Sequence, residues 1–197
     1  MSPAILLDIR ESKPQTWAFV IGRAAYLVFD ICAVKCLMFS ALEASSYMSL
    51  KQNIEDAFAD VSYPGDNNIT RCPYHCRECR RVAEYFKGRQ WTGYPIEELR
   101  NNNTALSLFT PEAFHYFLPA FMLASIDFYE KGDVIPDAIR FHFEYSQEAK
   151  GHFVVRMSKL TAEQRKAIID YLIYMEGKGA GSSEHAIGML SEESEFA

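Results

Sequence analysis

The sequence predicts a mostly α protein, a single-layered helical globule of about five or six helices with at most a small β element near 138–145. Three observations carry that reading. Apolar residues recur at helical spacing, as in Leu50, Ile54, Ala57, Phe58 and Val61. Helix start and stop signals punctuate the chain, and neither a βα alternation nor a repeat of fixed period is present.

Taken in order, a first helix starts behind Met48 with Ser49 able to cap it, and ends near Asp60. Tyr63-Pro64-Gly65-Asp66-Asn67-Asn68 is a strong turn, because proline presets φ while Gly, Asp and Asn tolerate left-handed backbone. A helix from about Cys76 to Lys87 aligns Cys79, Val82, Ala83 and Phe86 on one stripe and stops at Gly88. Pro95 opens a short helix that ends at Asn101-Asn102-Asn103. The longest helix has Thr110 as N-cap, Pro111 at its first position and Glu112 in its first turn, and runs to about Phe128. Its buried face is expected to hold Phe114, Phe117, Leu118, Phe121 and Ser125, with a bend at Pro119. Ile139, Phe141 and Phe143 alternate with Arg140 and His142 in the manner of a short half-buried strand, although Pro136-Asp137 can equally open a helical turn. Thr161-Ala-Glu-Gln164 is a capping box, opening a helix with Ile168, Ile169, Leu172 and Ile173 as its apolar face.

Three segments follow from this reading: an apolar extension over 1–47, a helical domain over 48–176, and a Gly-, Ser- and Glu-rich tail over 177–197 that is expected to be disordered. Residues 17–42 are almost continuously apolar, yet Arg23, Asp30 and Lys35 divide the run, so a membrane span is not expected. The segment reads either as a helix packed on the domain or lying in a membrane interface, or as upstream sequence not native to the protein. Met48, directly before a helix start, favours the second.

Composition narrows function. A net charge of −6 argues against a general nucleic-acid partner or an anionic-membrane binder. Cys32, Cys36, Cys72, Cys76 and Cys79 are odd in number and crowded, unlike a secreted disulfide framework, which points to a reducing, cytoplasmic setting. Arg77, Arg80 and Arg81, interspersed with Glu78 and Glu84, read as a solvated helix face.

One cluster has ligand chemistry: Cys72-Pro-Tyr-His75-Cys76-Arg-Glu-Cys79, since thiolates and imidazole suit zinc or an iron–sulfur cluster. Its C-x3-C-x2-C spacing is that of radical S-adenosylmethionine enzymes, but Glu78 stands where those enzymes usually have an aromatic residue, and no βα-barrel pattern surrounds it. Zinc fits better, with His115, His142 or His152 able to complete a site from elsewhere. The plainer alternative leaves Cys79 as a core residue and Cys72 and Cys76 as ordinary reduced thiols, with no cofactor. Asp66, Glu97 and Glu98 have no second group fixed near them for acid–base work, and no catalytic residue is singled out.

The stretch from about Asp56 to Ile173 resembles a family of uncharacterised bacterial proteins known only as a domain of unknown function. The resemblance rests on Ala57-Phe58-Ala59-Asp60-Val61, on Tyr63 to Ile69, on Glu78-Cys79 with Val82 to Arg89 and Trp91, on Ala105 to Phe121, and on Val134 to Asp137. It implies no reaction. The functional expectation is therefore a non-enzymatic interaction or accessory protein with a protein partner. The alternative is a small metalloprotein built on Cys72, His75, Cys76 and Cys79.

Overall fold

A computed structural model describes residues 45–72, 76–130, 134–144 and 150–191. The chain divides into two compact units, Met1–Ser46 and Tyr47–Ala197, and the hydrophobic core described here lies in the second. Residues 17–42 fall outside the described residues. Among the described residues, no helix is long and apolar enough to cross a membrane.

The described residues hold nine helices and no strand. These are α1 (45–58), α2 (Arg77–Phe86), α3 (Ile96–Asn101), α4 (Ala105–Leu108), α5 (Pro111–Asp127), α6 (Val134–Phe143), α7 (Lys150–Met157), α8 (Ala162–Gly177) and α9 (Glu184–Ser191). The expected five or six is exceeded because α4 is a single turn and α7 and α9 are two turns each, too short to show a full apolar period. Helix α1 is already running at residue 45, so Ser49 lies inside it and does not cap its start. Tyr47, just before Met48, packs against the core and donates its hydroxyl to Asp127.

Helix α5 is the centre. The Thr110 hydroxyl accepts from the Ala113 N–H at 3.1 Å, closing the first turn as its sequence predicts. Twelve of the 17 residues of α5 are buried, Pro119 among them, so this helix is enclosed and the fold is not a single layer. Helices α3, α6 and α7 pack on it. Between α2, α4 and α5 four phenylalanines interlock: Phe86 lies 5.0 Å from Phe109 and 4.9 Å from Phe117, and Phe121 completes the group. All four are fully buried, and each contributes roughly 1.5–3 kcal/mol by leaving water.

Residues 134–143, expected near 138–145 as a small β element, form α6. The alternation misleads because Phe141 is 67% exposed, while Ile135, Ile139 and Phe143 are buried at a spacing of four. In α8 the capping box forms as expected, but its buried face is Gln164, Ala167, Ile168, Tyr171, Leu172 and Met175. Ile173 is 56% exposed and Ile169 only partly covered.

The segment expected as a disordered tail is structured as far as Ser191. Gly179, at a φ of 103°, turns the chain after α8, and α9 then packs on α6 and α8 through buried Ala186 and Leu190. Its average composition hid this, because two apolar residues one turn apart suffice to dock a short helix.

Candidate metal centre

Cys72 is positioned by an extended stretch, residues 69–71, held against residues 108–110. The Arg71 N–H donates to Leu108 O at 3.1 Å and the Thr110 N–H to Ile69 O at 3.0 Å, around an isolated antiparallel bridge between Thr70 and Phe109. The Thr110 hydroxyl, already the cap of α5, also donates to Asn68 O at 2.7 Å. Cys76 is the N-cap of α2, its sulfur accepting from the Cys79 N–H at 3.5 Å, and Cys79 stands one turn into the helix. The Thr70 hydroxyl donates to Cys79 O at 3.3 Å, tying the two segments together. All these supports are local or come from the well-packed start of α5, so the cysteine positions follow from the core.

The three sulfurs converge: they lie within 4.8 Å of one another, and Cys72 Sγ is 2.7 Å from Cys79 Sγ. Cys72 and Cys76 are half-buried and Cys79 is buried. The environment separates their acidities. The Cys79 backbone N–H, with further help from the Cys79 side chain and the Glu78 N–H, holds the Cys76 thiol below its ordinary value. Burial, and hydrogen bonding to Cys72 and Cys76, push the Cys79 thiol up to about 12. A metal ion held by Cys79 would have to displace that proton. The positive end of α2 favours thiolate charge at Cys76. Such a triad can hold a metal ion such as zinc.

Of the other expected ligands, His75 lies outside the described residues, as does the side chain of His152. Neither His115 nor His142 joins the thiols. His115 Nε2 is 2.7 Å from Gln164 Oε1, while His142 sits between Arg156, 2.9 Å from its Nδ1, and Ser107, 3.3 Å from its Nε2. Asp66 accepts from the Tyr63 hydroxyl and lies 3.7 Å from Lys87; Glu98 accepts from the Tyr85 hydroxyl and lies 3.7 Å from Arg89. These carboxylates hold surface elements together and assemble no acid–base pair.

Sequence reasoning missed Arg156. It is only 8% exposed, donates to Leu106 O at 2.9 Å and to His142, and stacks 4.3 Å from the centre of the Phe114 ring. Burial and then the Arg156 and Arg71 charges hold His142 far down, at about 3, so its Nδ1 remains an acceptor. A signal existed in the alternating 139–143 segment, where a histidine falls beside the core, but its arginine partner comes from another helix.

Geometry and fold together define an all-helical domain with a three-cysteine cluster at the start of its second helix. The chain belongs to a family of unknown function, DUF6714, which matches residues 46–192. No curated protein and no solved structure matches it.

Proposed function

We propose that this is a non-enzymatic accessory domain that binds one zinc ion through Cys72, Cys76 and Cys79, with the ion fastening the 69–72 segment to α2. The observation that supports this reading is the convergence of three thiols from two segments within 4.8 Å. Thiolates sharing one tetrahedral zinc, at about 2.3 Å from the metal, stand roughly 4 Å apart. A cubane iron–sulfur cluster places each thiolate on a different iron and spreads them further, so a single ion suits this triad better. The fourth position falls to solvent or to one more side chain, with His75 the sequence neighbour best suited to it.

Three thiolates around a divalent ion leave a net negative site, and each cysteine has an arginine beside it in sequence: Arg71, Arg77 and Arg80. No carboxylate or imidazole among the described residues joins the thiols, which favours a structural role over hydrolysis. Unbridged thiols of this kind suit a reducing compartment.

Metal analysis of the full chain purified without chelator tests the proposal. One zinc per chain is expected, lost in Cys76→Ser, with thermal stability falling on chelation. Sub-stoichiometric zinc and iron, together with three freely reacting thiols in the native protein, would overturn it.

A further inference from the structure

Two of the three thiols stand closer together than a shared metal ion requires. Thiolates on one tetrahedral zinc are roughly 4 Å apart, whereas Cys72 Sγ and Cys79 Sγ are 2.7 Å apart. A disulfide places its sulfurs about 2.05 Å apart, so the remaining gap to the bond is roughly half the gap to the metal-bound spacing. The backbone holds the pair there. Residues 69–71 lie against 108–110, and the Thr70 hydroxyl donates to Cys79 O at 3.3 Å, clamping the segment that carries Cys72 beside α2. Cys76 is differently engaged: its sulfur caps α2 by accepting from the Cys79 N–H at 3.5 Å, and bonding it to another sulfur would give up that cap.

Exposure sets the order of events. Cys79 is 1% exposed and Cys72 is half-buried, so an oxidant from solvent reaches Cys72 first. The Cys72 sulfur attacks the terminal oxygen of a hydroperoxide, the O–O bond breaks, and an alcohol (water, for hydrogen peroxide) leaves Cys72 as a sulfenic acid. The Cys79 sulfur then attacks the Cys72 sulfur, the S–O bond breaks, and the hydroxyl departs as water with the Cys79 proton. The two thiols have given two electrons and two protons to the peroxide. Because Cys79 already touches Cys72, the bond closes before a second oxidation to the irreversible sulfinic acid.

We propose that Cys72 and Cys79 form a reversible disulfide on exposure to hydroperoxides, leaving Cys76 as a single thiol that cannot hold an ion. Disulfide and zinc are then alternative fastenings of the 69–72 segment to α2; this second half rests on the zinc site proposed under the preceding heading.

Peptide mapping of the full chain tests it. Trypsin cuts after Arg71, Arg77 and Arg80 and chymotrypsin after Tyr74, so the three cysteines fall on three separate peptides. The chain is stripped of metal, treated with hydrogen peroxide, capped at its remaining free thiols and digested. The Cys72 peptide is expected joined to the Cys79 peptide, a link undone by dithiothreitol. In Cys72→Ser, oxidation of the sheltered Cys79 is expected to slow at least about tenfold. In the zinc-loaded chain, each disulfide formed is expected to release one zinc, and chelator no longer lowers the melting midpoint once the chain is oxidised. Cys76 joined to Cys79 or to Cys72, sulfinic acid at Cys72 without a link, or equally fast oxidation of Cys79 in Cys72→Ser would each overturn the proposal. A disulfide in a chain that never holds zinc would overturn the zinc site alone, and zinc held with no disulfide would overturn the disulfide alone.

Discussion

The contact between α5 and α8 contains a buried hydroxyl pair whose direction is fixed, and a double-mutant cycle can weigh it. Tyr171 is fully buried, and its hydroxyl lies 2.8 Å from Ser125 Oγ, itself fully buried. The Ser125 hydroxyl donates to Met122 O at 2.9 Å, so its proton is already used and the Tyr171 O–H must be the donor between them. Ser125→Ala then leaves a phenol donor sealed away from water with no acceptor. That costs about 2 kcal/mol, within the usual range of about 1–3 for an orphaned buried group. Tyr171→Phe removes the donor itself and leaves Ser125 bonded to Met122 O, a loss of about 1 kcal/mol. The double variant has no orphan, so its loss is expected to match Tyr171→Phe alone, about 1 kcal/mol and well under the sum of the singles. Urea unfolding of the four proteins, followed by helical circular dichroism and tryptophan fluorescence, measures this. If Ser125→Ala costs less than Tyr171→Phe, or if the two losses add, the assigned donor direction is wrong.

Acid should weaken the fold earlier than its carboxylates alone require. His142 is held at about 3 in the native protein against roughly 6.5 unfolded, so stability is complete above 6.5 and is lost as pH falls from there towards 3, at up to about 1.4 kcal/mol per pH unit. His115, lowered mainly by burial, adds a loss of the same sign, and His142→Asn is expected to flatten the slope of unfolding free energy between pH 6.5 and 5; an unchanged slope would refute it. Leu190→Ala should cost about 2–4 kcal/mol because Leu190 is 1% exposed at the α9 contact, and an unchanged melting midpoint would show that α9 is not docked in solution. A chain of residues 46–197 is expected to unfold cooperatively in calorimetry, while one starting at Met48 loses the Tyr47 hydrogen bond to Asp127 and should melt lower.

The elements legible in the sequence are those fixed by local chemistry. Thr110-Pro111-Glu112 closes the start of α5 through its own hydroxyl, and Thr161 with Gln164 satisfies two backbone donors reciprocally at the start of α8. Gly88 ends α2 in a left-handed conformation, φ 66°, that other residues resist. The convergence of Cys72, Cys76 and Cys79 was also legible, because seven residues and one helical turn confine the three sulfurs. Misread segments are those whose pattern tertiary contact overrides. Phe141 is a large aromatic that stays in solvent, and with Ile139 and Phe143 it counterfeits strand periodicity. In α9, Ala186 and Leu190 dock on surfaces supplied by α6 and α8, which the Gly- and Ser-rich composition around them does not reveal.

The Gln164 amide shows why a polar cluster is harder to read than a core. Gln164 was visible as the last residue of a capping box, and its side-chain oxygen does accept from the Thr161 N–H. The same amide carries two further bonds, to Ala57 O on α1 and to His115 on α5, and neither partner is near it in sequence. An amide has one donor face and one acceptor face, so the local cap and the α1 contact together leave only one orientation, and that orientation dictates the His115 tautomer. A capping glutamate would supply the same cap and the same acceptor for His115, yet it has no N–H for Ala57 O. The choice of glutamine over glutamate at this position thus follows from the tertiary bond to α1. The capping box predicts the helix; only the fold explains the amide.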